Sequence, residues 1–222
     1  DLVRRYKGRR AICFHHRAAF MWAAYLMGID QLMMTMATEP ELAHLVMDKV
    51  LATNMEIVRR AVRAGAEVIV LGDDYAANNG PMFSPAMFRE FITPKLTAMI
   101  DLIHKEGAQA IKHSDGNIYP ILEDIVGCGP DGINPVEPVA GMDLKTVKQL
   151  VGDRVCITGN IDCARLLPYG TRQDVFAAVK QAIADAGAGG GYIVTSSNSI
   201  HSSCNPDNFV AMIEAVHEYG KY

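Results

Sequence analysis

No charge excess of one sign marks this chain. Its 21 Lys and Arg stand against 25 Asp and Glu, a formal net charge of -4. Binding nucleic acid calls for a basic surface that displaces counterions from phosphate, so nucleic acid is set aside as a partner. Long apolar runs are lacking too. No stretch approaches the ~20 residues of a membrane span, and no membrane is expected. The five cysteines (Cys13, Cys128, Cys156, Cys163, Cys204) are odd in number, scattered and without a CxxC pair. A reduced, cytoplasmic compartment is the simpler reading. Neither a Pro/Ser linker, a low-complexity tract nor a charge block interrupts the chain, so residues 1–222 read as a single domain. The chain begins with Asp1 rather than Met and shows no signal peptide; a trimmed fragment is the expectation.

What is present is globular. Half the residues are hydrophobic and 21% are charged, in a chain long enough for a sizeable core. One unit recurs: an apolar strand, a polar exit, then a helix. Ala11 to Phe14 is the first strand, leaving through His15-His16-Arg17 into a helix from Phe20 to Met27 that stops at Gly28. The Met33, Met34 and Met36 stretch reads as core filling or as the lining of a flexible pocket. Glu39-Pro40-Glu41 opens a long helix that ends near Arg63, with acids first and arginines last as the helix dipole favours. Val68 to Leu71 is a strand that exits through Gly72-Asp73-Asp74.

Ser84-Pro85 starts a helix that Pro94 kinks or divides. Gln109 to Lys112 is the third strand, and residues 118–126 form a short helix. Gly132 to Asn134 is a strand running into Pro135-Val136-Glu137-Pro138. Asp143 begins a helix, and Arg154 to Thr158 is a strand exiting through Gly159-Asn160-Ile161-Asp162. Thr171 caps the next helix. Gly191 to Thr195 is the last strand, followed by Ser196 to His201, and Asn205-Pro206 starts the final helix.

Six such units predict a parallel sheet with crossover helices. A doubly wound sheet and a (β/α)8 TIM barrel both fit that period. The barrel is favoured because five of six exits carry polar clusters, whereas an open sheet gathers its ligand residues near one switch point. Gly187 to Gly191 is glycine-rich but precedes a strand. A nucleotide fingerprint needs strand, then glycine, then helix, so this run belongs to the stabilising face.

The exits supply His15 and His16, Asp73 and Asp74, His113 and Asp115, Asn134 and Glu137, Asn160 and Asp162, and Asn198 and His201. Arg17 and Lys112 are the fixed positive charges nearby. Such a set suits a cation, a metal, or a neutral heterocycle held by amides and carboxylates. His113 and Asp115 lie two apart, so on a continuing strand they share a face. Asp115-Gly116 equally reads as a turn, and Asp73, Asp74 and Asn160 equally read as caps or loop closers.

The stretches "VIVLGDDYAANNGPMFSPAMFREFITPKL", "IKHSDGN", "DGINPVEPVAGMDL", "ITGNID" and "GGYIVTSSNSIHSSCNPDNF" cover most of the chain in order. Together they resemble the uroporphyrinogen decarboxylase superfamily and, within it, the corrinoid-linked methyltransferase branch. The resemblance implies a (β/α)8 barrel with its site at the mouth, lacking here about two N-terminal strands. It implies methyl transfer, as in O-demethylation, between a small-molecule donor or acceptor and a corrinoid protein as partner. In that role Asp115 or Asp74 handles a proton, His113 orients it, and Asn160 and Asn198 bind the small molecule with Asp73, Asp162 and His201. Zinc-dependent members use His-x-Cys and a later Cys. His113 matches the His, Asp115 stands at the first Cys, and Asn198 at the second. His113 and Asp115 are then the metal ligands implied, and Cys204 falls several residues beyond. The arginine-rich motif with which true decarboxylases hold porphyrinogen carboxylates is not in this chain. A decarboxylase releasing CO2 and a non-catalytic corrinoid-protein docking domain are the alternative readings.

Overall fold

The computed structural model describes residues 1–221. Its contacts fall into two compact units. The first comprises Asp1–Tyr75, Pro81–Ser114 and Pro120–Asp131; the second comprises Ala76–Gly80, Asp115–Tyr119 and the chain from Gly132 onward.

In the first unit three apolar runs become three parallel strands, β1 (Cys13–His16), β2 (Val68–Gly72) and β3 (Gln109–His113), with β2 in the middle. A continuous run such as Val68-Ile69-Val70-Leu71 suits a strand buried on both faces, and Ile69 and Leu71 are fully buried. On β3 the pattern alternates. Ala110 and Lys112 are buried on one face, while Ile111 and His113 are half-buried on the other.

The first strand starts two residues later than the apolar run predicts. His15 and His16 belong to the ladder, opposite Val70 and Leu71. Pairing uses backbone groups, so the polar pair extends the strand for as long as β2 offers a partner.

Around these strands lie α1 (Phe20–Met27), α2 (Pro40–Arg63) and α3 (Thr93–Lys105). Helix α2 has Pro40 in its first turn, Arg60 and Arg63 in its last, and turns Ala43, Met47, Val50, Leu51, Asn54 and Val58 inward. The methionine stretch forms its own helix, Ile29–Thr38, with Met36 buried and Met34 exposed. Ser84 caps the helix start at Pro85, its Oγ accepting from the Met87 amide at 3.2 Å. The division expected at Pro94 is present: a wide π-helical turn, Phe88–Ile92, gives way to α3, which carries Pro94 in its first turn.

The second unit holds β4 (Gly132–Asn134), β5 (Cys156–Ile161) and β6 (Tyr192–Ser196), parallel and with β5 central. Strand β5 runs on past Thr158, because Asn160 and Ile161 still face Thr195 and Ser196 on β6. Its helices are α4 (Leu144–Val151), α5 (Arg172–Ala186) and α6 (Pro206–Tyr219). Each begins on a side-chain cap. Asp143 accepts from the Thr146 amide at 2.7 Å, Thr171 and Asp174 form a reciprocal capping box, and Asn205 accepts from the Asp207 amide at 2.9 Å. The glycine run before β6 makes a turn in which Gly189, Gly190 and Gly191 all have positive φ. The Lys148 ammonium donates to the Gly190 carbonyl at 2.7 Å and holds that turn. Among the described residues no helix is long and apolar enough to cross a membrane.

Candidate active site

Two adjacent aspartates leave β2 and take different paths. Asp73 is fully buried. One of its carboxylate oxygens accepts from the amides of Ala18, Ala19 and Phe20 at 3.1–3.3 Å, and the other accepts from Met21 at 3.2 Å. These are the orphan donors at the start of α1, so Asp73 serves as the cap that α1 lacks locally. The neighbouring Tyr75 is also fully buried, packed edge-on against Phe83 and Phe88. Burial, then the charge of Asp73, pushes its phenol well above the ordinary value.

Asp74 instead meets His113. Its Oδ1 lies 3.5 Å from His113 Nε2, with the imidazole side chain 17% exposed and the carboxylate 34%. That is an acid–base pair which a small molecule can still reach.

His15 and His16 stand on the neighbouring strand. Burial holds the His15 pKa below its ordinary value, and the charges of His113 and then Arg17 add to that. His16 is likewise lowered by burial, against a hydrogen bond to the Asn54 amide oxygen that favours the charged ring. Asn54 donates to the Ala18 carbonyl at 2.7 Å, which turns its amide oxygen toward His16 Nε2 at 3.1 Å. His16 Nε2 therefore donates. A surface cavity of about 230 Å³ is lined by Trp22, Leu26, Lys49, Val50, Thr53 and Asn54, with no carboxylate or imidazole among them.

In the second unit Asp115 opens the loop after β3. The ladder stops at His113, so the shared-face argument for His113 and Asp115 does not carry across; Asp115 is aimed by its partner. Asn198 Nδ2 donates to Asp115 Oδ2 at 2.7 Å, and Asn198 Oδ1 accepts from the Ser199 amide at 2.7 Å. The following Gly116 has φ +84°, and a Cβ there would lie 2.5 Å from the Ala76 carbonyl oxygen. Only glycine fits. Its amide donates to Glu137 at 2.7 Å.

The remaining residues read from the sequence also have defined places. Asn134 donates to Thr158 Oγ1 at 2.6 Å, tying β4 to β5. Asp162 Oδ1 accepts from the Ala164 amide at 2.7 Å and closes a turn. His201 Nε2 meets the Cys163 carbonyl at 3.0 Å while its Nδ1 accepts from the Ser203 amide at 3.3 Å. Both nitrogens of that ring shape a loop. Asn160 is half-buried on β5, opposite Thr195.

Asp74 and His113 offer a carboxylate and an imidazole to a cation. One nitrogen and one carboxylate are two ligands, fewer than the three protein ligands of a catalytic zinc site. Thiolate is not offered: Cys204 is 6% exposed and its thiol donates to the Cys163 carbonyl at 3.6 Å, while burial raises the Cys163 thiol.

Residues 1–219 match the family described as uroporphyrinogen decarboxylase (URO-D). The chain belongs to that family. Among curated relatives, the uroporphyrinogen decarboxylase of Colwellia psychrerythraea is 28% identical over 192 residues, covering 84% of this chain and 51% of the relative. That of Chlorobium luteolum is 29% identical over 195 residues, covering 82% and 51%. The chain thus spans about half the length of the curated relatives it matches. A solved structure, a methyltransferase from Methanosarcina mazei, superposes with a TM-score of 0.86 at 23% identity, covering 99% of this chain and 62% of that one. At that identity the likeness is one of fold. The fold is the TIM-barrel type of the URO-D family, and the described residues supply three parallel strands in each unit.

Proposed function

We propose that this chain carries the site of a methyltransferase that moves a methyl group between a small molecule and a corrinoid held by a partner protein. The observation that carries the reading is the Asp74–His113 pair, an imidazole and a carboxylate 3.5 Å apart and both partly exposed. Methyl transfer is a displacement at carbon, and an acceptor such as a thiol or alcohol must lose its proton to become a good nucleophile. The His113 imidazole takes that proton, and Asp74, beside its Nε2, stabilises the imidazolium that results. A separation of 3.5 Å is loose for a hydrogen bond, as catalytic pairs are before substrate tightens them. In the opposite direction the same imidazolium returns the proton to the departing heteroatom. Within the second unit Asn198 holds Asp115, donating to its Oδ2. Positioning of the two reactants supplies much of the rate.

When bound to its carrier, the corrinoid supplies the cobalt that accepts or gives the methyl group. A zinc-type cation, if held, would use Asp74 and His113 and would lower the pKa of the acceptor heteroatom. The fold likeness to a methyltransferase supports the reading. The names of the curated relatives support a second one, decarboxylation of a porphyrinogen with release of CO2.

One pair of assays separates them. The chain is incubated with methylcobalamin and 2-mercaptoethanol, and separately with uroporphyrinogen. Methyl transfer is expected, falling about 100-fold or more in His113→Ala and in Asp115→Asn. CO2 release without methyl transfer would replace this reading with the second. Partner binding that survives both substitutions, with neither activity, would leave a docking domain.

A further inference from the structure

Lys112 carries a charge where charges are rare. It is 1% exposed, on the face of β3 opposite His113. An ammonium has three N–H donors and no acceptor, and its burial is tolerated only when those donors are met. Here they meet main-chain carbonyls: that of Leu71 at 3.2 Å, that of Asp73 at 2.6 Å, and that of His113. The ring of Tyr75 closes another side, its centroid 4.2 Å from Nζ, where the π-face attracts a cation.

Two of those carbonyls flank the candidate acid–base pair. The Asp73 carbonyl belongs to the peptide that joins Asp73 to Asp74, and the His113 carbonyl to the peptide that joins His113 to Ser114. A peptide is planar, so fixing its oxygen fixes the plane and the direction in which the chain enters Asp74 or leaves His113. The third carbonyl, of Leu71, lies in the ladder directly opposite Lys112 and anchors the ammonium to β2. Without the cation these carbonyl dipoles would crowd one another. Stability alone is a poor reason to keep such a charge, since a buried ion is often replaced by an apolar side chain of similar volume at little cost.

We propose that Lys112 is a positioning residue that draws the ends of β2 and β3 together and so sets the Asp74–His113 geometry. Its kinetic consequence rests on the methyl-transfer reading; its geometric consequence does not.

The test uses the full chain with Lys112→Met, which keeps the volume and removes the charge, and Lys112→Gln, which keeps an amide donor. Circular dichroism and urea unfolding establish the fold. The 15N signals of the His113 ring, assigned by their loss in His113→Gln, are compared at one pH. Methyl transfer from methylcobalamin to 2-mercaptoethanol gives kcat and KM. Both variants are expected to fold, with the His113 ring signals displaced from the wild-type positions. The kcat should fall about 10- to 100-fold with KM within about twofold, and Gln should retain more activity than Met. A folded variant with unchanged His113 signals would overturn the proposal, as would two variants that do not fold, because Lys112 would then serve the fold alone. If the wild-type chain transfers no methyl group, the methyl-transfer reading fails by itself, and the His113 signals decide the role of Lys112.

Discussion

The polar groups at the strand exits of the two units are committed to different partners. In the first unit the buried ones are held by main chain: Asp73 by four amides, Lys112 by three carbonyls. Asp74 and His113 face each other side chain to side chain and are partly exposed. In the second unit Asn134 meets Thr158 and Asn198 meets Asp115 side chain to side chain, while His201, Asp162 and Glu137 meet main-chain groups of loops. The lesson is that residue type does not separate structure from chemistry at such exits. Asp73 and Asp74 are identical and adjacent, yet one caps a helix and the other faces an imidazole.

If this contrast is right, removing a main-chain anchor of the first unit should have the largest effect on stability. Asp73→Ala leaves the first turn of α1 without its acceptor and is expected to cost about 3–4 kcal/mol, read from the urea midpoint at unchanged slope. A cost near zero would break the contrast. Asn134→Ala in the second unit removes side-chain bonds to Thr158 and should cost about 1–2 kcal/mol by the same measurement. A cost equal to that of Asp73→Ala would mean that the two units hold their exits equally firmly.

The smallest effect is a pH dependence confined to the first unit. His15 and His16 have folded pKa values below the ordinary 6.5, chiefly through burial. As the pH falls through 6.5 the unfolded chain binds protons that the folded chain does not, so stability declines between 6.5 and the lower folded values and levels off below them. Urea midpoints taken between pH 7.5 and 5 should show that decline, and His16→Gln should shrink it. A midpoint that rises on acidification would contradict the sign.

Much of the fold was legible because its signals are local. Helix α1 runs from Phe20 to Met27 with Gly28 after it, as the apolar run and the glycine indicate. The caps at Ser84, Asp143, Thr171 and Asn205 all form, since a cap depends only on residues within one turn. What the sequence left open depends on partners far along the chain. Strand β5 takes in Asn160 because β6 continues beside it, and β1 takes in His15 and His16 because β2 does.

The candidate site shows the same limit. The cluster at His113 and Asp115 was readable as an exit, but the orientation of Asp115 comes from Asn198, which lies 83 residues away in sequence. Lys112 reads as a charge beside its neighbours at the exit, and only strand alternation in the folded chain turns it to the other face. No local signal distinguishes Asp73 from Asp74. The distinction comes from the start of α1, more than 50 residues earlier.

That distinction is also where the account is most exposed. Asp74→Asn, measured for urea stability and for methyl transfer from methylcobalamin in the same preparation, tests it directly. The account predicts a stability within about 0.5 kcal/mol of wild type and a methyl-transfer rate lowered about 100-fold or more. An Asp74→Asn chain that loses stability and keeps its rate would contradict it.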